Sequence, residues 1–154
     1  MLNFKKNRPR GVVDTSILVA SIATFRDSGS ESPVPSACVL RDWIDNGTFT
    51  WLINEEIVDE YKAILARRGV RSSLIGAAIN LIRSQAEETP AIAGSDISPD
   101  PGDEPFCICA ETGNADFIVT LNPKDFPYHK LRAHVISPSD PMPTTARKRP
   151  RASS

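Results

Sequence analysis

Val12 and Val13, a short β-branched run, lead straight into Asp14, and that junction constrains the rest of the chain. Such a run suits a buried strand better than a helix. Ile17, Leu18, Ala20 and Ser21 then suit the first turns of a packed helix. A strand that passes directly into a helix puts Asp14 at the carboxyl end of the strand. In open α/β sheets that edge is where ligands bind. Asp14, Thr15 and Ser16 are also good helix caps, so the junction alone leaves a capping and a functional reading open.

Downstream, strand and helix signals alternate. Ser36 to Asn46 carries Val39, Leu40, Trp43 and Ile44 at helical spacing, with Gly47 as a stop. Thr48 to Ile53 is aromatic and β-branched and reads as a second strand. Asn54 is a credible N-cap for a helix running to about Arg68, stopped by Gly69, with an apolar stripe of Ile57, Tyr61, Ile64 and Leu65. Glu60 lies on or beside that stripe. A partly buried carboxylate needs a partner, either a basic side chain or a metal.

A further helix is expected from Ser72 or Ser73 to about Glu88, with Leu74, Ala77, Ala78, Leu81 and Ile82 on one face. Thr89 to Pro101 reads as a connection, as does Arg26 to Pro35. Asp103 is placed to cap a helix from Glu104 to about Thr112, which has Pro105 in its first turn. Phe106, Cys109 and Ala110 mark its buried side, with Cys107 on another face. Ala115 to Thr120 reads as a third strand, Pro123 to Tyr128 as a turn anchored by Phe126, and Ala133 to Ile136 as a last strand. The alternation predicts a three-layer α/β/α sandwich around a central, mostly parallel sheet. The expected organisation is a basic N-terminal arm over residues 1–10, one domain over 11–138, and a disordered basic tail over 139–154.

The 154 residues suffice for one domain with a real core. No apolar run approaches the ~18 residues of a membrane span, and the polar, basic N-terminus has no h-region. Cys38, Cys107 and Cys109 are odd in number and lack CxxC spacing, so neither a disulfide framework nor a zinc site is expected. A reduced, cytoplasmic protein follows. The net charge of −1 is uneven: residues 11–140 hold 10 basic and all 19 acidic side chains, a net of −9. So acidic a body is a poor nucleic-acid binder on electrostatics alone, but suits a cation site built from carboxylates. The basic termini suit phosphate contacts or simple solvation. His129 and His134 stand apart from every acidic motif, and the phosphate-cradling GxGxxG and GxxxxGK[ST] patterns are absent.

Four segments together resemble the PIN domain family. Val12-Val13-Asp14-Thr15-Ser16-Ile17-Leu18-Val19 is similar to that family's opening strand, which ends in Asp-Thr-Asn or Asp-Thr-Ser. Asn54-Glu55-Glu56-Ile57-Val58-Asp59-Glu60-Tyr61 resembles the second motif, with Glu60 as its acid. Asp100-Pro101-Gly102-Asp103-Glu104-Pro105-Phe106 resembles the third, with Asp103 as its acid, and Ala115-Asp116 through Asn122 to Phe126 resembles the fourth. The four stand in order over residues 11 to about 136. They are most similar to the stand-alone bacterial PIN proteins described as toxins of toxin–antitoxin pairs.

The resemblance implies a Mg²⁺- or Mn²⁺-dependent endoribonuclease that hydrolyses RNA phosphodiester bonds with a metal-activated water. Hard cations choose oxygen ligands, which agrees with the residue types. The implied catalytic set is Asp14, Glu60, Asp103 and Asp116, with Asp14, Asp103 and Asp116 as metal ligands and Thr15, Ser16, Thr120 and Asn122 as supporting hydrogen-bonders. Asn122 stands where many members carry an aspartate. Asp100 competes with Asp103 for the third role, against a reading as an ordinary Asp-Pro turn. Implied partners are RNA, a small antitoxin and a second copy of the chain, with no membrane. The alternative is a catalytically weak or inactive PIN-fold module that binds RNA or protein. A phosphoacceptor receiver is disfavoured, because Asp14 is followed by Thr15 rather than by a second acid.

Overall fold

The structure is a computed structural model and describes residues 8–26, 34–90 and 102–146, with the side chains of 23–26 outside that description. Five strands form one all-parallel sheet: β1 (Arg10–Val13), β2 (Thr50–Ile53), β3 (Glu87–Glu88), β4 (Phe117–Val119) and β5 (His134–Ile136), in the order β3-β2-β1-β4-β5. Five helices join them: α1 (Thr15–Arg26), α2 (Pro35–Asn46), α3 (Glu55–Arg67), α4 (Ser72–Gln85) and α5 (Glu104–Thr112). From β1 the chain moves outward to β2 and β3, then returns through α5 to β4 on the other side of β1. Crossovers that leave β1 in opposite directions with the usual right hand place helices on both faces. The expected α/β/α sandwich is the fold this chain adopts.

That reversal of direction lies between β1 and β4. In an open parallel sheet the strand-to-helix loops part there and leave a crevice at the carboxyl edge. Asp14 follows the last residue of β1, and Thr120 follows the last residue of β4. The register pairs Val13 with Val119, so Asp14 and Thr120 leave neighbouring strands at the same level.

The core explains why the elements hold. Val12, Val13, Leu52, Ile53 and Phe117 to Val119 are buried, as near-continuous apolar runs in a parallel sheet must be. Trp43, Phe49, Trp51 and Phe117 pack edge to face or tilted, with centroids 4.7 to 6.4 Å apart, joining α2 to β2 and β4. Gly47 ends α2 at φ 58°, its N–H donating to the Trp43 carbonyl. Asn54 caps α3 by accepting from the Ile57 N–H at 2.8 Å.

Several expectations need correction. In α2, Ile44 is exposed, and the buried residues are Ser36, Ala37, Val39, Leu40 and Trp43. Helix α4 buries Ile75, Ile79 and Ile82, while Leu74 and Leu81 face outward, so its inner face is rotated by one residue. It also ends at Gln85, because Glu87 and Glu88 pair with Leu52 and Ile53 as a short strand. Cys107 and Cys109 are both buried. The last residues of the supposed N-terminal arm belong to the fold. Arg10 opens β1 and pairs with Glu87, and Arg8 donates to the Gly47 carbonyl. At the other end, residues 139–146 are placed, with Thr145 O against His134 Nε2 at 3.1 Å and Met142 against the core. The loops over 27–33 and 91–101, with Asp100, lie outside the described residues, as do the outermost residues of both termini.

Candidate active site

Asp14 is buried to 8% exposure, yet it takes no backbone N–H of α1 in its carboxylate among the described residues, so it is not a side-chain cap. Two hydroxyls hold one of its oxygens instead. Ser16 Oγ donates to Oδ2 at 2.7 Å and Thr120 Oγ1 donates to the same atom at 2.8 Å. Each hydroxyl is oriented by a backbone donor from the turn after β4. The Leu121 N–H donates to Ser16 Oγ at 3.1 Å, and the Asn122 N–H donates to Thr120 Oγ1 at 3.0 Å. The β4 turn is thereby locked to the carboxylate, and Oδ1 keeps no hydrogen bond among the described residues.

Asp14 opens on a cleft of about 440 Å³ at the carboxyl edge of the sheet. Its walls bring Asp14 together with Thr15 and Ser16 from α1, Glu60 from α3, Asp103 from the start of α5, and Asn122 after β4. Thr120 stands behind them as a support of Asp14. Glu60 is half-buried and makes no ion pair with any described residue, so the basic partner that a buried glutamate invites is not found there. Asp103 occupies the N-cap position of α5 with helical φ and ψ (−92°, −13°) and forms no side-chain cap. The capping role expected of it is therefore not what places it in the cleft. Thr15 Oγ1 is buried without a hydrogen-bond partner among the described residues.

Tyr61, next to Glu60, fixes α3 against this edge. Its hydroxyl donates to the Val13 carbonyl at 2.5 Å and receives the Trp51 indole N–H at 3.3 Å. Complete burial pushes the Tyr61 phenol well above its ordinary pKa, with the nearby Asp14 charge adding to the rise. It therefore stays a donor at any physiological pH and pins the peptide just before Asp14.

Asp116 is not brought to the cleft. It precedes β4, so it sits at the amino edge of the sheet, opposite Asp14, which follows β1. Its Oδ2 accepts the Arg10 N–H at 2.8 Å, and its own N–H donates to the Arg10 carbonyl at 2.7 Å. Asp116 is a register clamp between β1 and β4, and the role of metal ligand assigned to it is withdrawn. The thiols are equally remote from chemistry. Burial above all pushes Cys107 up to about 12 and Cys109 to about 11, which keeps both protonated near neutrality. Neither histidine lines the cleft.

Among the described residues no three His, Cys, Asp or Glu side chains approach closely enough to hold a metal ion by themselves. What the cleft does offer is oxygen donors alone, the carboxylates of Asp14, Glu60 and Asp103 and the amide of Asn122. Mg²⁺ is commonly bound by one or two carboxylates with water and substrate phosphate completing its shell. The donor set fits a hard divalent cation of that kind and suits no softer metal.

Residues not anticipated as part of the site are Val19, Ile64, Phe106 and Leu121, which give the cleft an apolar lining, and Arg68. Glu60, Ile64 and Arg68 recur every fourth residue, a spacing that runs along one side of a helix. That spacing is visible in the sequence and was the available signal.

Among the described residues no helix is long and apolar enough to cross a membrane. A family model described as PIN domain matches residues 10–124. No curated protein and no solved structure matches the chain.

Proposed function

Because the chain belongs to the PIN domain family, whose members are generally nucleases and typically use divalent metal ions, we propose that it is a Mg²⁺- or Mn²⁺-dependent endoribonuclease. The observation that carries this reading is the mounting of Asp14: one carboxylate oxygen is held by two oriented hydroxyls, and the other has no partner among the described residues, in a cleft shared with Glu60 and Asp103. Buried polar groups are hydrogen-bonded, and Asp14 meets that need through one oxygen, by way of two hydroxyls. A carboxylate built to hold a cation is fixed on one side and open on the other.

In this reading Asp14 and Asp103 would hold the ion, with Asn122 offering a carbonyl oxygen. A divalent cation there supplies Lewis-acid stabilisation of the phosphate and a more acidic water. Glu60, which reaches the cleft from α3, would orient the attacking water and accept its proton. Ser16 and Thr120 keep Asp14 from rotating. Attack by water at phosphorus would break the bond to the 3′ oxygen, which takes up a proton from solvent as it leaves, giving a 5′-phosphate and a 3′-hydroxyl. The toxin assignment, with a small antitoxin as partner, rests on the likeness of the four motifs to the stand-alone bacterial PIN proteins. A small DNA-binding protein encoded in the neighbouring reading frame would support it.

The test is incubation of a mixed single-stranded RNA pool with the protein and Mg²⁺ or Mn²⁺. Endonucleolytic cleavage that EDTA stops is the expected result. RNA that binds but stays intact with either metal would instead make the protein a binding module of the same fold. That second reading draws on Asn122, which leaves the cleft one carboxylate short of many family members, and on the wide spacing of the acids. Asn122→Asp separates the two. Its added charge should lower the Mg²⁺ concentration for half-maximal cleavage by roughly tenfold, since carboxylate count tunes affinity for hard cations. A titration of activity against Mg²⁺ for both proteins checks this. An unchanged midpoint would mean that position 122 does not face the ion.

A further inference from the structure

An acidic body that acts on RNA has to bring a polyanion to a cleft lined with carboxylates. Residues 11–140 carry a net charge of −9, and among the described residues every ionisable group lining the cleft is acidic except Arg68. Arg68 is exposed, and no described residue forms an ion pair with it. Arg10 pairs with Glu87, and Arg83 with Glu55 and Glu88; what sets Arg68 apart from the other exposed arginines is that it lines the cleft. Arg68 makes no ion pair with a described residue although Glu60 lies on the same side of the same helix. The reason is distance along the axis. Eight residues at 1.5 Å each place the two about 12 Å apart.

The end of α3 is built to present this side chain at the rim. The Arg68 N–H still donates to the Ile64 carbonyl at 2.9 Å, and the chain then turns at Gly69 with φ 79°. A residue with a side chain pays a steric cost at that angle, so glycine ends the helix there. Between the acid and the base lies Ile64, part of the apolar lining with Val19 and Phe106. One wall of the cleft thus reads, in order, carboxylate, apolar, guanidinium.

We infer that Arg68 is a substrate-binding residue whose guanidinium holds a backbone phosphate of the RNA next to the one being cleaved. This rests on the ribonuclease reading of the same cleft. The carboxylates need the scissile phosphate at Asp14, and the fork of an arginine suits a phosphate by charge and by geometry. At two helical turns from Glu60, Arg68 meets a neighbouring phosphate and not the reacting one. It therefore acts on binding and on the register of the strand, and leaves the chemical step to the acids. A guanidinium at the carboxyl end of a helix also complements the helix dipole. That role alone would change thermal stability and nothing in the RNA affinity.

The test measures equilibrium binding of a short fluorescent single-stranded RNA in EDTA, across a range of salt, together with steady-state cleavage in Mg²⁺. The proteins are the wild type, Arg68→Gln, Arg68→Lys and, as a control, Arg67→Gln, an exposed neighbour that does not line the cleft. Arg68→Gln should weaken binding and raise KM by about tenfold, the size of one lost charge-assisted contact, with kcat little changed. The slope of log K against log salt should fall in magnitude by about 0.7, the value for one phosphate contact on a single strand. Arg68→Lys should keep the slope and recover part of the affinity, and Arg67→Gln should match the wild type. Unchanged affinity and slope for Arg68→Gln, in a wild type that binds and cuts, would overturn the phosphate contact and leave the nuclease standing. A fall in kcat alone would overturn it too. A wild type that neither binds nor cuts RNA would overturn the ribonuclease reading, and this contact with it.

Discussion

Asp14→Asn is expected to slow RNA cleavage in Mg²⁺ by about 10³-fold, because a cation site of this kind supplies several kcal/mol of transition-state stabilisation and each 1.4 kcal/mol is tenfold. The substitution keeps the shape of the side chain and can keep an oxygen toward Ser16 and Thr120, which donate at 2.7 and 2.8 Å. What it removes is the charge. Folding should not suffer, since Asp14 has no ion pair among the described residues and its carboxylate lies at the cleft and not in the apolar core. The check is single-turnover cleavage of RNA at saturating protein, with the thermal melt followed in parallel. A melting midpoint close to wild type beside the lost rate assigns the loss to chemistry. Cleavage at the wild-type rate would mean that the activity resides elsewhere, since the mounting of this carboxylate is what singles the cleft out.

How much of this was legible in the sequence depends on the kind of signal. Asp14 was readable because a β-branched pair running into helix-forming residues fixes both the strand and its direction. Glu60 was readable as a carboxylate beside an apolar stripe. Asp116 was misassigned because its role came from the resemblance of the fourth segment to the family's motif and not from its place ahead of the strand. Asp116 comes before Phe117 and Thr120 comes after Val119, and four steps of strand separate the two by about 13 Å. Helix α4 was misread because Leu74, Leu81 and Ile75, Ile79, Ile82 both fit a helical period, one residue apart. Packing beneath α3 decides between them, and nothing within the helix records it. β3 carries no hydrophobic signal at all. Its two glutamates are exposed, and it is a strand only because its backbone pairs with β2 and Arg10 and Arg83 reach its side chains.

Gly11→Ala is expected to cost about 3 kcal/mol of stability, at the upper end for forcing a methyl group into a packed core. A Cβ at position 11 would fall 2.2 Å from Cζ and 2.4 Å from Cε2 of the Phe117 ring. The ring has nowhere to go: it is fully buried and stacked edge to face on Phe49 with centroids 5.5 Å apart. The side chain that blocks position 11 comes from the residue paired with it across the β1–β4 ladder, Gly11 against Phe117. Relief of the clash therefore has to come from the spacing of these two strands. That spacing also sets the Thr120 to Asp14 hydrogen bond, two rungs beyond Gly11 and one step past the ladder. Chemical denaturation should show a lower midpoint with an unchanged slope, and the folded variant should also lose activity. Shortening the opposing side chain supplies the control. In the double variant Gly11→Ala, Phe117→Leu, the two costs should add to less than their sum, because the clash is absent once the ring is removed. Strict additivity would mean that the ring does not limit position 11 and that glycine is there for another reason. Coupling of stability with cleavage in the same pair would instead tie the aromatic core to the geometry of the carboxylate, through β1 and β4.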